Sequence, residues 1–362
     1  MKNIYDHIRF LQKQINHTVR ATSNATDWLL YYFTLYQIDQ KPQYSILASF
    51  FLSKLVSQII EGEHTSLRGL FLLDELQRKG MITHQLESRL LAVDQYLYQQ
   101  ARAHLDRESF EDTYQATEIT YYLTKRTSDA KARQYLQDLQ SIVFSKIEDF
   151  HKLVDHDVAV GMDGLSGYLL MLIYIAWSTK NVAFKLAIKE GLRFLLSLRR
   201  DVDFSEKIYS YFPSTTQTGK LSHNAFVWNN SDLAPTVLIY QAALFYQDTK
   251  LANIADLTGL NTLLRKNDIY NPVENATFHQ GAAGIAQVYQ ALYRISRKDA
   301  YREGHTFWNE RTISLSKKDV DRYIYAASGD SPLTGITGIL LTLFSLITDK
   351  ELLWDKAILL RR

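Results

Sequence analysis

Cysteine is absent from the 362 residues, which removes thiolate nucleophiles, CxxC redox pairs and sulfur-ligated zinc or iron at once. Any metal would have to be held by histidine and carboxylate alone. The chemistry-bearing residues with suggestive placement are Asp163, Asp232 and His279, each just ahead of an apolar stretch at helical spacing. Carboxylates and an imidazole can serve as general acid and base. Equally, an Asp ahead of a helix can cap it by accepting first-turn N–H groups, and His279 can simply bond a neighbouring loop. His279 and His223 make two imidazoles with no third ligand evident. Gly161-Met-Asp-Gly164-Leu-Ser-Gly167 has a glycine at every third position, yet it lacks the lysine of a phosphate loop and follows no predicted strand. No G-x-S-x-G elbow, P-loop or GxGxxG is present.

The elements that must position these residues read as helices. Leu47, Phe50, Phe51, Leu55, Ile59 and Ile60 step by three or four, as do Leu186, Leu192, Leu195 and Leu196, and no NG or DG turn joins alternating segments. Asn16–Thr26, Arg199–Val227, Arg265–Thr277 and Tyr301–Ser331 are expected as loops. Gly164-Leu-Ser-Gly167, Gly281-Ala-Ala-Gly284 and Gly335-Ile-Thr-Gly338 each open an apolar helix, and Ser231-Asp-Leu-Ala234 opens another with both glycines replaced. Their intervals of roughly 67, 50 and 54 residues are the size of a helical hairpin, with weaker cognates near Gln115 and Ser66. Six to seven such repeats suit an all-α fold closed as an α/α toroid, with residues 1–362 as one domain and an irregular insertion around 199–227. In the G-x-x-G pairs, the first glycine is expected to allow φ > 0 and the second to allow close helix packing.

Composition narrows the classes further. With 46% hydrophobic and 22% charged residues the chain is globular rather than disordered, and +2 from 41 basic and 39 acidic residues gives no field that selects nucleic acid. The longest apolar stretch, Tyr168–Trp177, is about half a membrane span, and the amphipathic start lacks a signal-peptide core, so a cytoplasmic protein is expected. Twenty-three tyrosines, 17 phenylalanines and five tryptophans include Tyr209, Tyr211, Phe212, Phe226, Trp228, Phe307 and Trp308 in expected loops. Such rings suit an extended peptide, with Ile208–Trp228 as the contacting element, or are buried against the helices.

His279-Gln-Gly281-Ala-Ala-Gly284-Ile-Ala resembles the C-H-G-x-A-G-I-A segment of the lanthionine synthetase C-like (LanC-like) cyclases. Trp228-Asn-Asn-Ser-Asp-Leu-Ala234 is similar to their W-C-Y-G-D-L-G segment. Ser331-Pro-Leu-Thr-Gly335-Ile-Thr-Gly338 and Trp354-Asp-Lys-Ala-Ile-Leu-Leu360 resemble their closing L-x-G-I-A-G and W-D-x-x-L-L-L segments, so the likeness is collinear from about Ser66 to the end. The resemblance implies an α/α toroid whose zinc, held by two cysteines and a histidine, activates a precursor-peptide thiolate for addition to a dehydroamino acid. At the three ligand positions this chain has Asn229, His279 and Gln280 instead. Asp163 stands where the family has an active-site histidine, Glu111 corresponds to an active-site Asp, and the arginine before the first zinc cysteine falls on Ala225.

One imidazole and two neutral amides cannot replace two thiolates, so zinc is not expected. The resemblance and these departures together imply a degenerate LanC-like protein of lanthipeptide-type biosynthesis. It would bind a precursor peptide or a modifying enzyme such as the dehydratase or transport machinery through Trp228, Asn229, Asp232, His279 and Gln280. The alternative is a zinc-independent enzyme on the same toroid, peptide-modifying or carbohydrate-active, with Glu111, Asp163 and His279 as the candidate acid-base groups.

Overall fold

Helices buried on one side carry an apolar stripe, and helices buried on all sides are apolar all round. Both kinds occur in this chain. The computed structural model describes residues 2–18, 25–63, 66–107, 109–146, 157–182, 184–203, 205, 208–217, 226–267, 272–321, 333, 335–348 and 350–362. Among them the helices are α1 (Lys2–Thr18), α2 (Ala25–Asp39), α3 (Pro42–Ile60), α4 (Leu73–Arg78), α5 (His84–Leu105), α6 (Phe110–Leu123) and α7 (Ala130–Ser145). They continue as α8 (Leu165–Thr179), α9 (Phe184–Ser197), α10 (Leu233–Tyr246), α11 (Thr249–Thr262), α12 (Ala282–Ser296), α13 (Asp299–Asp321) and α14 (Ile336–Phe344). Strand-like pairing among the described residues is limited to two isolated bridges, Ala159 with Thr215 and Asp203 with Ile208.

The chain divides into two compact units. One comprises Met1–Asp94, Val273–Gln290 and Glu303–Arg362; the other comprises Gln95–Pro272 and Ala291–Arg302. In the second unit α6 and α10 both pack on α8, and each of the three is followed in the chain by a helix that packs on it, α7, α9 and α11. α8 is buried from Leu165 to Ala176 and α10 from Leu233 to Ala243, so neither has a polar face to turn outward. α9 instead buries the stripe Ile188, Leu192 and Leu195 while its other side stays wet. Each such side chain removed from water contributes about 1.5–3 kcal/mol, more than the intrinsic propensity of so short a helix. Start signals are local: Ser109 Oγ accepts from Asp112 N at 3.0 Å to open α6, and Asp129 Oδ1 accepts from Ala132 N at 2.9 Å to open α7. In the first unit α2 packs on α3 and α14, with Trp28, Tyr32 and Phe51 stacked between α2 and α3. The buried ion pair Glu75–Lys356, at 2.6 Å, ties the C-terminal turn to α4.

Two expectations are corrected here. Residues 301–321, expected as loop, are most of α13. Their buried stripe is Tyr301, His305, Trp308, Asn309, Thr312, Ser316 and Asp319, which has helical period but is mostly polar, so a search for apolar spacing passes over it. Its polar members are served internally: His305 Nδ1 bonds Ala286 O at 2.9 Å and Asp319 Oδ2 accepts from Ala276 N at 2.7 Å. The glycine reading is also half corrected. Gly164 has φ −148° and Gly335 φ −98°, so neither needs the left-handed region. Close approach is the reason instead. A Cβ on Gly161 would lie 1.8 Å from the carbonyl oxygen of Asn229, and one on Gly281 would lie 2.2 Å from Asn275 Oδ1.

Candidate functional site

A cleft lined by several titratable side chains lies within the second unit, at the start of α6 and beside the turn that leads into α8. It encloses about 480 Å³ and is lined by Phe110, Glu111, Tyr114, Gln115, Glu118, Asp157, Val158, Ala159, Asp163 and Gly164. Phe110, Glu111, Tyr114 and Glu118 share the cleft because positions three, four and seven apart lie on one helix face. The helix start that carries them is rigidly capped. Asp112 Oδ2 accepts from Ser109 Oγ at 2.6 Å, and Oδ1 meets His104 Nδ1 at 2.6 Å and Arg107 at 3.1 Å. These bonds, that from Ser109 foremost, hold the Asp112 carboxyl down at about 2.

The opposite wall, residues 157–164, is fastened by backbone bonds at both ends. Val160 N donates to Ser214 O at 2.9 Å and Thr216 N to Val158 O at 2.8 Å, while Met162 N donates to Asn229 O at 2.6 Å. The Asn229 side chain then donates from Nδ2 to Asp163 Oδ2 at 2.7 Å. Two of the candidate residues, Asp163 and Asn229, are therefore in direct contact, and Glu111 lines the same cleft. Asp163 does not occupy the N-cap position of α8, which is Gly164. With four carboxylates, two aromatic rings and no cation on its lining, the cleft accepts hydrogen bonds and stacks on apolar faces.

Asp232 does different work. It precedes α10 but makes no cap bond; its oxygens accept from Tyr211 N at 2.8 Å and Phe212 N at 3.0 Å. Burial raises its carboxyl to about 6, while the bonds from Phe212 and Tyr211 and the charges of Arg265 and Arg200 pull it down. Arg200 donates from Nε to Ser210 O at 3.1 Å, Arg265 donates to Ser210 Oγ at 3.2 Å, and Asn261 donates to Tyr209 O at 2.9 Å. Residues 208–216 are thus a pinned part of the unit. Between the two fates open to the loop aromatics, Phe212, Phe226, Trp228 and Trp308 are buried, Trp228 to 1% exposure, and Tyr209, Tyr211 and Phe307 are half-buried. His223 and Ala225 lie outside the described residues.

His279 and Gln280 belong to the first unit, in the turn before α12, where His279 is half-buried and Gln280 exposed. Asn275 organises that turn: Oδ1 accepts from Thr277 N at 3.0 Å and from Thr277 Oγ1 at 2.6 Å, and its carbonyl accepts from Ala282 N at 3.1 Å. Among the described residues no group of three or more His, Asp and Glu side chains is placed to hold a metal ion. Sequence reasoning passed over Glu118, Tyr114, Asp157 and Asn275. Glu118 and Tyr114 carry a usable signal, their seven- and three-residue spacing from Glu111; Asn275 is marked by its Asx-turn pattern with Thr277; Asp157 has none.

Buried helices paired with amphipathic partners, with the chemistry gathered at helix starts, are the build of an α/α toroid, the fold class anticipated from the repeats. The chain belongs to the lanthionine synthetase C-like protein family, whose model matches residues 28–359. Among solved structures it is similar to nisin cyclase, with a TM-score of 0.75 and 15% identity, covering 99% of this chain and 98% of that one. That likeness speaks to the fold. No curated protein sequence matches the chain significantly. No described helix is long and apolar enough to cross a membrane.

Proposed function

We propose that this chain is a LanC-like protein without the family's zinc-dependent cyclisation, acting as a binding component in lanthipeptide-type peptide modification in the cytoplasm. Its partner on this reading is a precursor peptide or the enzyme that dehydrates it. The observation that carries the proposal is the pair Asn229 and Asp163. At the position equated with a zinc cysteine stands a neutral amide, and its nitrogen is already given to a carboxylate at the position equated with the catalytic histidine. The remaining donors at the ligand positions are one imidazole, His279, and a second amide, Gln280, a set too neutral and too hard for zinc. No step of the family's reaction is therefore assigned to these residues. Peptide binding is supported by the cleft itself, whose Phe110 and Tyr114 offer apolar contact and whose carboxylates accept from peptide N–H groups or basic side chains.

The four carboxylates on that cleft also support a second reading, acid-base catalysis on the same scaffold by Glu111 or Asp163. One experiment separates the two. The full chain is mixed with the unmodified and the dehydrated precursor peptide and with the dehydratase, and binding, peptide mass and alkylatable thiols are measured. Binding with mass and thiol count unchanged supports the proposal. Loss of one alkylatable thiol per ring, any other mass change, or absence of binding to all three would overturn it.

A further inference from the structure

Residue 229 is engaged twice. Its carbonyl accepts from Met162 N with Gly161 pressed against it, and its side chain donates to Asp163. Both contacts land on the 157–164 turn, which supplies Asp157, Val158, Ala159, Asp163 and Gly164 to the cleft. The far end of the same turn is held by Ser214 and Thr216. All of these residues lie in the second unit.

We infer that Asn229 and Asp163 work as one unit, an amide–carboxylate clamp that helps fix the cleft wall where the family places a metal-binding thiolate and a histidine, so that the effects of changing the two residues are coupled. An ionised carboxylate only accepts, and the amide at 229 supplies it with a donor without adding charge. A carboxylate at 229 would set two like charges at hydrogen-bond distance, and a thiol there would ionise against the charge of Asp163. The exchange of residue types at the two positions is thus coupled. This inference rests on the proposed function only in equating positions 163 and 229 with the family's metal site.

A double-mutant cycle on the full chain tests it. The variants are Asn229→Asp, Asp163→Asn and the swap carrying both, in which an amide at 163 can donate to a carboxylate at 229; Asn229→Ala is a milder variant that adds no charge. Hydrogen exchange of Met162 N–H and Tm are read with and without EDTA. Asn229→Asp and Asn229→Ala are expected to speed that exchange about tenfold, the loss of one hydrogen bond, and to lower Tm. The swap is expected to return it to within about threefold of the parent, and EDTA to change nothing. Additive effects in the swap, or an EDTA-treated parent that behaves like Asn229→Asp, would overturn the clamp. Since no peptide enters the assay, that failure is distinct from failure of the binding proposal.

Discussion

Asp27 gives the sharpest quantitative prediction. It lies in the first turn of α2, buried, with both oxygens accepting from Leu333 N at 2.9 and 3.0 Å and Oδ2 accepting from Thr337 Oγ1 at 3.3 Å. Burial raises its carboxyl from 3.8 to about 7, against the opposing pull of the Leu333 and Thr337 bonds. In the unfolded chain the same group ionises near 3.8. Between about pH 4 and pH 7, therefore, the folded chain holds a proton that the unfolded chain has released, and stability falls as pH rises through that interval. Each pH unit is worth about 1.4 kcal/mol, so the group withdraws about 4 kcal/mol by pH 8 relative to pH 4. Asp27→Asn cannot ionise, yet its Oδ1 can still accept from Leu333 N. Urea denaturation of parent and variant at stepped pH is expected to show the variant gaining on the parent by about 4 kcal/mol from pH 4 to pH 8, most steeply from 5 to 7. Taking the difference between the two proteins cancels Asp232 and every other titration. Parallel curves, or a variant that loses ground as pH rises, would refute the reasoning, because the carboxylate would then be the favoured buried form.

Asp232→Ala removes the acceptor of Tyr211 N and Phe212 N; a buried N–H left without a partner costs about 1–3 kcal/mol, and hydrogen exchange at both amides should accelerate while that at Met162 stays near the parent's. Gly161→Ala drives a Cβ to within 1.8 Å of the Asn229 carbonyl; the backbone must yield, and a loss of about 3 kcal/mol by denaturation is expected, whereas a fully stable variant would show that the turn does not pack as described. Asn229→Cys creates the sole thiol of a chain that has no cysteine, so alkylation reports it alone. Its pH midpoint should lie above the ordinary value of about 8.5 and return toward it when Asp163→Asn is added; a midpoint at or below 8.5 in the single variant would contradict the placement of Asp163 beside it.

Much of the fold was legible in the residues because burial leaves a period. The run from Leu165 to Ala176 is apolar on every side, and its helix is buried on every side; Ile188, Leu192 and Leu195 keep to one stripe, and their helix is wet on the other. Where buried positions are polar the signal fails, as in the stretch from His305 to Asp319, whose partners are chosen by the fold and carry no local mark. The same holds for the aspartates. As sequence, Asp163 and Asp232 have the look of caps; as structure, one receives an amide from residue 229 and the other anchors backbone at 211 and 212.

What the sequence determined by itself was composition and order: no thiol anywhere, helical hairpins at a repeating interval, and the collinear segments around Trp228, His279 and Gly335 that resemble the family's. Such properties belong to residues one at a time or at short spacing, and a linear pattern carries them in full. Tertiary structure alone decided that Asn229 meets Asp163 across 66 positions, that Glu118 and Asp157 share a cleft with Glu111, and that Trp228 is enclosed. A hydrogen bond depends on the distance and angle between two groups, and for groups far apart in the chain those are set only when the helices between them have packed.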